Sequence, residues 1–295
     1  MSIDTADIAA TPIEIGEVTL SVIDVGEGPT VLLLHGFPDR ATMWRTQIRD
    51  LREAGYRVIA PDLRGFGDSS RPADPSAYAA PTLLDDIIGL LDHLGVGEFS
   101  VAAHDWGSLI GWVLAASLPD RVTKLAAFSV GHPRAYAGAG FPQKQLAWYI
   151  LWWQTPGVAE SALPVNDWEW FREWAYDGAQ RSSDPDLDRQ LTDLERDGAL
   201  SAGLNYYRAN LTPAEFADND WYALADLPPV ACPVMGVWGE DEMALTERQM
   251  TDSARYVTGP WRYEQLSHVG HWIPAHRPEQ TSALLLDFFG GTTTS

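Results

Sequence analysis

The chain is poor in several things, and each shortage excludes something. It has a single cysteine, Cys232, among 295 residues. That rules out an internal disulfide and any cysteine-based zinc site. Cys232 precedes Pro233 at the start of an apolar run and reads as a small buried residue. Basic residues are scarce: 20 Lys and Arg face 41 Asp and Glu, a formal net charge of −21. Such a surface repels a phosphate backbone, so nucleic acid is not the expected partner. Long apolar runs are missing too. "VLLLHGF" and "LAWYILWW" fall far short of the roughly 20 residues that span a bilayer. The first residues, "MSIDTADIAATPIEIGE", lack the basic region and apolar core of a signal peptide. These absences together lead us to expect a cytoplasmic protein without membrane contact. The seven histidines include no H-x-x-x-H pair and no compact His/Asp cluster beyond the residues considered below, so neither a metal nor a cofactor is expected.

What is present is a 45% hydrophobic composition, enough for a large core. Short β-rich runs alternate with helical patterns. "TLSVIDVG" and "TVLLLHGF" flank "GEGP", which reads as a hairpin-like turn. "YRVIAPD", "FSVAAHDWG", "KLAAFSVG", "PVMGVWG" and "RYEQLSHVG" follow as further strands, separated by helical segments such as "PTLLDDIIGLLDHLGV". This alternation predicts an α/β fold with a mostly parallel sheet, helices on both faces and functional residues at the carboxyl ends of strands. From about 132 to 225 the alternation stops. That stretch holds seven of the thirteen tryptophans, at 148, 152, 153, 168, 170, 174 and 221. It predicts a helical cap (132–225) inserted between two core segments (1–131 and 226–295). A Trp-rich cap can bury itself on the core or on another subunit, which leaves a homodimer open.

"VAAHDWGSLIGW" (101–112) reads as a strand, a sharp turn and a helix start. Asp105 stands at the apex, where related turns carry serine in G-x-S-x-G. Small residues flank it, Ala103 and Gly107, as a strained apex demands. "LSHVGHWIP" puts His271 in the loop after the last strand, with His268 as a rival. "VMGVWGEDEMALTE" ends another strand in three acids. Glu242, three residues after Gly239, is the candidate partner for the histidine, with Asp241 as the alternative. "HGFP" (35–38) ends a strand, and its amides can stabilise an oxyanion. The chain order is nucleophile, acid, histidine, with the oxyanion loop upstream. His104 and His35 read as structural, and Asp62 and Asp68 as fixing local loops.

Nearly the whole chain resembles the α/β-hydrolase fold. "HGFPDRATMWRTQI", "APDLRGFGDSSRP", "HDWGS" and "GHWIPAHRPE" are similar to the branch containing epoxide hydrolases and haloalkane dehalogenases. Three positions depart from the common pattern: Ala103 and Ser108 stand where glycine is usual, and Glu242 where aspartate is. The resemblance implies an aspartate nucleophile. A carboxylate is already ionised at neutral pH and can displace a leaving group at tetrahedral carbon, forming an alkyl ester. His271, oriented by Glu242, would activate the water that cleaves the ester, while the amides of Phe37 and Trp106 cradle the oxyanion.

The leaving group separates the two branches. A halide wants N–H donors; an opening epoxide wants O–H donors. "AWYILWWQTPGVAE" resembles the epoxide-hydrolase segment in which a tyrosine precedes Q-x-P-G-V-A-E, here Tyr149. "GALSAGLNYYRAN" resembles the segment carrying the second tyrosine, here Tyr207, with Tyr206 as the register rival. The expected partners are therefore a small apolar epoxide and water, with Trp106, Phe37 and Trp152 contacting the substrate. The alternatives are a haloalkane or haloacid dehalogenase using the same aspartate, and a non-catalytic ligand-binding protein on this scaffold.

Overall fold

In the computed structural model, residues 9–175, 185–218 and 227–291 are described. Eight strands form one sheet: β1 (Thr11–Ile15), β2 (Val18–Val25), β3 (Thr30–Leu34), β4 (Arg57–Pro61), β5 (Phe99–His104), β6 (Val122–Phe128), β7 (Val234–Gly239) and β8 (Trp261–Leu266). Their spatial order is β1-β2-β4-β3-β5-β6-β7-β8. β1 and β2 pair antiparallel, as do β2 and β4; every pairing from β4 to β8 is parallel.

The apolar runs explain the layering. Both faces of the central strands are covered, so successive residues of one strand enter different cores. Leu32 and Leu34 of β3 face the core shared with α2 (Ala80–His93) and α3 (Trp106–Ser117). Val31 and Leu33 face the core shared with α1 (Arg45–Glu53) and, late in the chain, the helix Pro278–Gly290.

The hairpin expected at "GEGP" does not form. β2 leaves the sheet centre to β3 and lies two places away, with β4 between them. The link passes the turn after α1 so closely that a Cβ at Gly26 would lie 2.3 Å from the Tyr56 carbonyl oxygen. Gly26 and Gly28 both have positive φ there. The hairpin in this region is β1–β2, turning at Gly16. The sequence reading missed β1 because this edge strand is largely exposed and shows little apolar signal.

Between β6 and β7 the described chain is helical: α4 (Pro133–Gly138), α5 (Phe141–Leu146), α6 (Trp148–Trp153), α7 (Val158–Ala162), α8 (Val165–Ala175), α9 (Pro185–Leu194), α10 (Ala199–Asn210) and α11 (Pro213–Asp218). The expected boundary near 225 and Trp221 lie outside the described residues. After β7 come α12 (Glu247–Thr251), α13 (Ile273–His276) and α14 (Pro278–Gly290). Polar ties seat the insertion on the core. Arg45 grips Asp186 of α9 with two bonds of 2.9 Å. The buried Asp39 accepts from Arg189 and from Gln190, the latter at 2.6 Å. Asn210 holds the Ala80 amide at 2.7 Å and the Tyr78 carbonyl at 2.8 Å. Among the described residues no helix is long and apolar enough to cross a membrane.

Candidate active site

Four loops leave the carboxyl edge of the sheet, after β3, β5, β7 and β8, and they converge. The turn after β5 is strained in the manner its sequence suggests: Asp105 has φ 53° and ψ −122°. Two glycines permit it. A Cβ on Gly107 would lie 2.4 Å from the His35 carbonyl oxygen, and one on Gly36 would lie 2.3 Å from Asp105 Oδ2. The "HGFP" loop can therefore press against the elbow, and the Phe37 amide donates to Asp105 Oδ2 at 2.9 Å. Trp106 begins α3, so its amide has no helical acceptor, an arrangement that favours negative charge at the apex. Ser108, where glycine is common, donates its hydroxyl to the Val130 carbonyl at 2.6 Å and packs at the helix start.

His271 lies with Nε2 3.4 Å from Asp105 Oδ1 and Nδ1 2.8 Å from Glu242 Oε2. Its main chain is fixed by two donors to its carbonyl, Ser129 Oγ at 2.7 Å and His104 Nε2 at 2.9 Å. Glu242 is buried at its carboxylate and accepts the Ala244 amide at 2.9 Å. The rivals point elsewhere: Asp241 is exposed, and so is His268. His35 ties the "HGFP" loop to its neighbour by accepting the Leu63 amide at 2.9 Å. Asp62 fixes two further loop amides, of Ala41 at 2.8 Å and Asp68 at 3.0 Å.

The charges are coupled. Burial alone pushes the Asp105 carboxyl up. The hydrogen bond and charge of His271, with help from His104 and the Phe37 amide, outweigh it and hold the group below the usual carboxylate range. Burial alone would lower His271, but the Glu242 and Asp105 carboxylates raise it to about 10. Burial, reinforced by His271, drives His104 down to about 3, so it stays neutral.

Above Asp105 lies a cavity between the sheet and the helical insertion. Its polar wall is Asp105, His271, Trp106, Tyr136, Tyr149 and Tyr207; Leu109, Val130, Ile150, Leu211 and Leu245 supply the aliphatic wall. Burial, together with the nearby Asp105 charge, pushes the Tyr149 and Tyr207 hydroxyls well above the ordinary phenol range. Both therefore keep their protons at neutral pH. The Trp106 ring packs edge-on against Tyr207, with centroids 5.1 Å apart. Tyr206, the register rival, faces away and donates to the Arg64 carbonyl at 2.7 Å.

Two of the expected substrate contacts do not line this cavity. Trp152 is not part of the cavity wall; it packs on Trp170, with ring centroids 5.8 Å apart. Its neighbour Trp153, turned by one helix position, faces inward against Tyr149 and Tyr207 at 4.6 and 4.8 Å. The Phe37 ring is likewise absent from the wall and is packed among Phe66, Trp153, Phe171 and Tyr207. The sequence reading missed Tyr136, whose only signal was its closeness to the end of β6. Among the described residues no group of three or more His, Cys, Asp or Glu is arranged to hold a metal.

Comparison with known proteins identifies the fold family. A family described as alpha/beta hydrolase fold matches residues 29–278. The chain is 33% identical to Epoxide hydrolase A of Mycobacterium tuberculosis, over 93% of this chain and 95% of that protein. It is 32% identical to the AB hydrolase superfamily protein YfhM of Bacillus subtilis, over 92% and 94%. Among solved structures it is similar to Epoxide Hydrolase A from Mycobacterium thermoresistibile: TM-score 0.81, 30% identity, covering 96% of this chain and 98% of that one.

Proposed function

The chain belongs to the α/β-hydrolase fold family, and on that premise we propose that it is an epoxide hydrolase, converting an apolar epoxide to a vicinal diol. One observation carries the reading. Tyr149 and Tyr207, both protonated, line the same cavity as Asp105 and His271. A strained ring bound there meets a carboxylate on one side and two O–H donors on the other.

Asp105 attacks a ring carbon, the C–O bond breaks, and the ring oxygen is received by the tyrosine hydroxyls. The product is an ester of Asp105. This step removes the Asp105 charge, one of the two that hold the His271 proton, so that proton passes to the ring oxygen through the tyrosine hydroxyls and leaves His271 neutral and able to accept another. His271 then takes a proton from water, and the hydroxide attacks the ester carbonyl. The amides of Phe37 and Trp106 stabilise the oxyanion, and Glu242 keeps the imidazole oriented. The water oxygen ends in the Asp105 carboxylate, and its two protons end on the diol hydroxyls. A dehalogenase is less well supported. Trp106 is the one tryptophan in the cavity wall among the described residues, and two tyrosine hydroxyls line that wall with it.

The test is to offer an aryl epoxide and a short haloalkane and to measure diol and halide. Diol without halide is expected; halide without diol overturns the proposal. A single turnover in ¹⁸O-labelled water should give unlabelled diol, because the new oxygen comes from Asp105. Label in the first diol would refute the covalent route.

A further inference from the structure

A second cavity adjoins the one above Asp105 on its α4 side. Tyr136 and Leu211 belong to the wall of the first, and the same two residues line the second, between α4, α5 and α11. The two spaces thus share a partition made of one side chain from each side.

The halves of that partition differ. Tyr136 is anchored: its hydroxyl hydrogen-bonds Gln143. Gln143 is itself pinned to the loop after β7, donating to the Ala244 carbonyl at 2.8 Å and accepting the Thr246 amide at 2.9 Å. Leu211 follows α10, where its main chain is fixed by the Tyr207 carbonyl at 2.9 Å and by Gln154 at 3.0 Å. Its side chain is aliphatic and is restrained by packing alone, so it can change rotamer without breaking a hydrogen bond.

The second cavity has an apolar wall in Ala137, Leu211 and Phe216, with Gln143, Lys144 and Glu215 at its edge. Each of these polar groups is already engaged. Lys144 Nζ donates to the Ala217 carbonyl at 2.6 Å, and Glu215 accepts both the amide and the hydroxyl of Thr212 at 2.8 Å. One cation and one anion also cancel, so the edge selects no charged ligand.

We propose that the two cavities are the inner and outer chambers of one substrate path. Leu211 is its movable gate against a fixed Tyr136, and the outer chamber takes a neutral, extended apolar arm. This names the substrate class of the site as long-armed over compact molecules. That the reacting group is an epoxide rests on the function proposed above; the chamber itself does not.

The test uses unreactive probes, the 1-alkanols from butanol to decanol, with tryptophan fluorescence as the binding signal. In the wild type the affinity should rise about fourfold per added methylene until the outer chamber is filled. Ala137 lines only the outer chamber, so Ala137→Trp should end that rise at a shorter chain. The decanol-to-butanol affinity ratio should fall roughly tenfold or more. A folded variant with an unchanged ratio overturns the proposal. Leu211→Ala tests the gate independently and should speed association of decanol several-fold more than that of butanol; an equal effect on both refutes the gate. Diol assays with 1,2-epoxybutane and 1,2-epoxydecane run alongside. Chain-length-dependent alkanol binding with no diol from either breaks the catalytic reading alone. Diol from both, with a ratio that Ala137→Trp leaves untouched, breaks the chamber alone.

Discussion

The two halves of the site are held by different physics. On the sheet side, backbone geometry and short polar contacts fix each group. Asp105 sits at positive φ with the Phe37 amide 2.9 Å away, and His271 is tied through its ring and twice through its carbonyl. On the insertion side, the tyrosines are wedged among rings. Tyr149 lies 4.5 Å from Trp174, and Tyr207 lies 5.1 Å from Trp106 and 5.8 Å from Phe37. Hydrogen bonds lose their value over fractions of an ångström, whereas ring packing tolerates small shifts. Changes on the sheet side should therefore stop one chemical step outright. Changes on the insertion side should give graded effects that depend on the substrate.

His271→Gln should produce the largest effect. The ester would still form, but its hydrolysis should slow at least about 10³-fold. Intact-protein mass spectrometry should then show one substrate mass added to the chain. A variant that turns over slowly without accumulating the adduct would contradict the assigned role.

The tyrosines probe the other half. Tyr149→Phe and Tyr207→Phe should each slow ester formation roughly 10- to 100-fold, and the double variant more than either. Tyr206→Phe is the contrast. It removes a bond to the Arg64 carbonyl, so it should cost about 1 kcal/mol of stability and leave the rate within about threefold. Stopped-flow rates and thermal unfolding of the three variants decide this. Equal losses at 206 and 207 would erase the distinction between a packed and a facing hydroxyl.

That pair also shows how far the sequence is legible. Strand ends, the sharp turn at Asp105 and the close approach of the "HGFP" loop can be read because each needs a particular residue type at a particular spacing, such as Gly36 and Gly107 around Asp105. Which of two adjacent helical tyrosines faces a cavity depends on helix rotation, and the sequence carries no direct mark of it. The same holds for the acids at 240–242, where only the path of the loop brings Glu242 rather than Asp241 to His271. Tyr136 was invisible for a related reason: it reaches the site from a segment with no motif. Strand β1 was missed because an exposed edge has little apolar alternation to read.

Glu242→Gln tests the link between charge and step. Glu242 is the leading charge that raises His271 to about 10, so its removal should move the acid limb of ester hydrolysis down by about one pH unit or more. The plateau rate should fall roughly tenfold as the ring loses its orienting partner. The sign for stability follows from the same shift. A histidine whose folded pKa lies above its unfolded value stabilises the fold fully below about pH 6.5 and loses that contribution as pH rises through about 10. The variant's deficit in thermal stability should therefore be larger at pH 6 than at pH 10. A deficit that grows with pH would show that the pair is not held in the charged form.

Trp152→Ala should have the smallest effect on catalysis and gives the sharpest test of the packing argument. Trp152 and Trp153 are neighbours on α6, turned about 100° apart. Trp153 is 1% exposed and touches Phe37, Tyr149 and Tyr207, whereas Trp152 packs on Trp170, which is itself 62% exposed. Removing Trp152 should change kcat/KM by less than about threefold, since it opens no space beside a reacting group. Removing Trp153 should leave a hole behind both tyrosines, cost about 3–5 kcal/mol and lower kcat/KM by roughly tenfold or more. If the two alanine variants behaved alike, tyrosine placement would not depend on the rings behind it. The insertion would then have to fix its donors as rigidly as the sheet fixes Asp105.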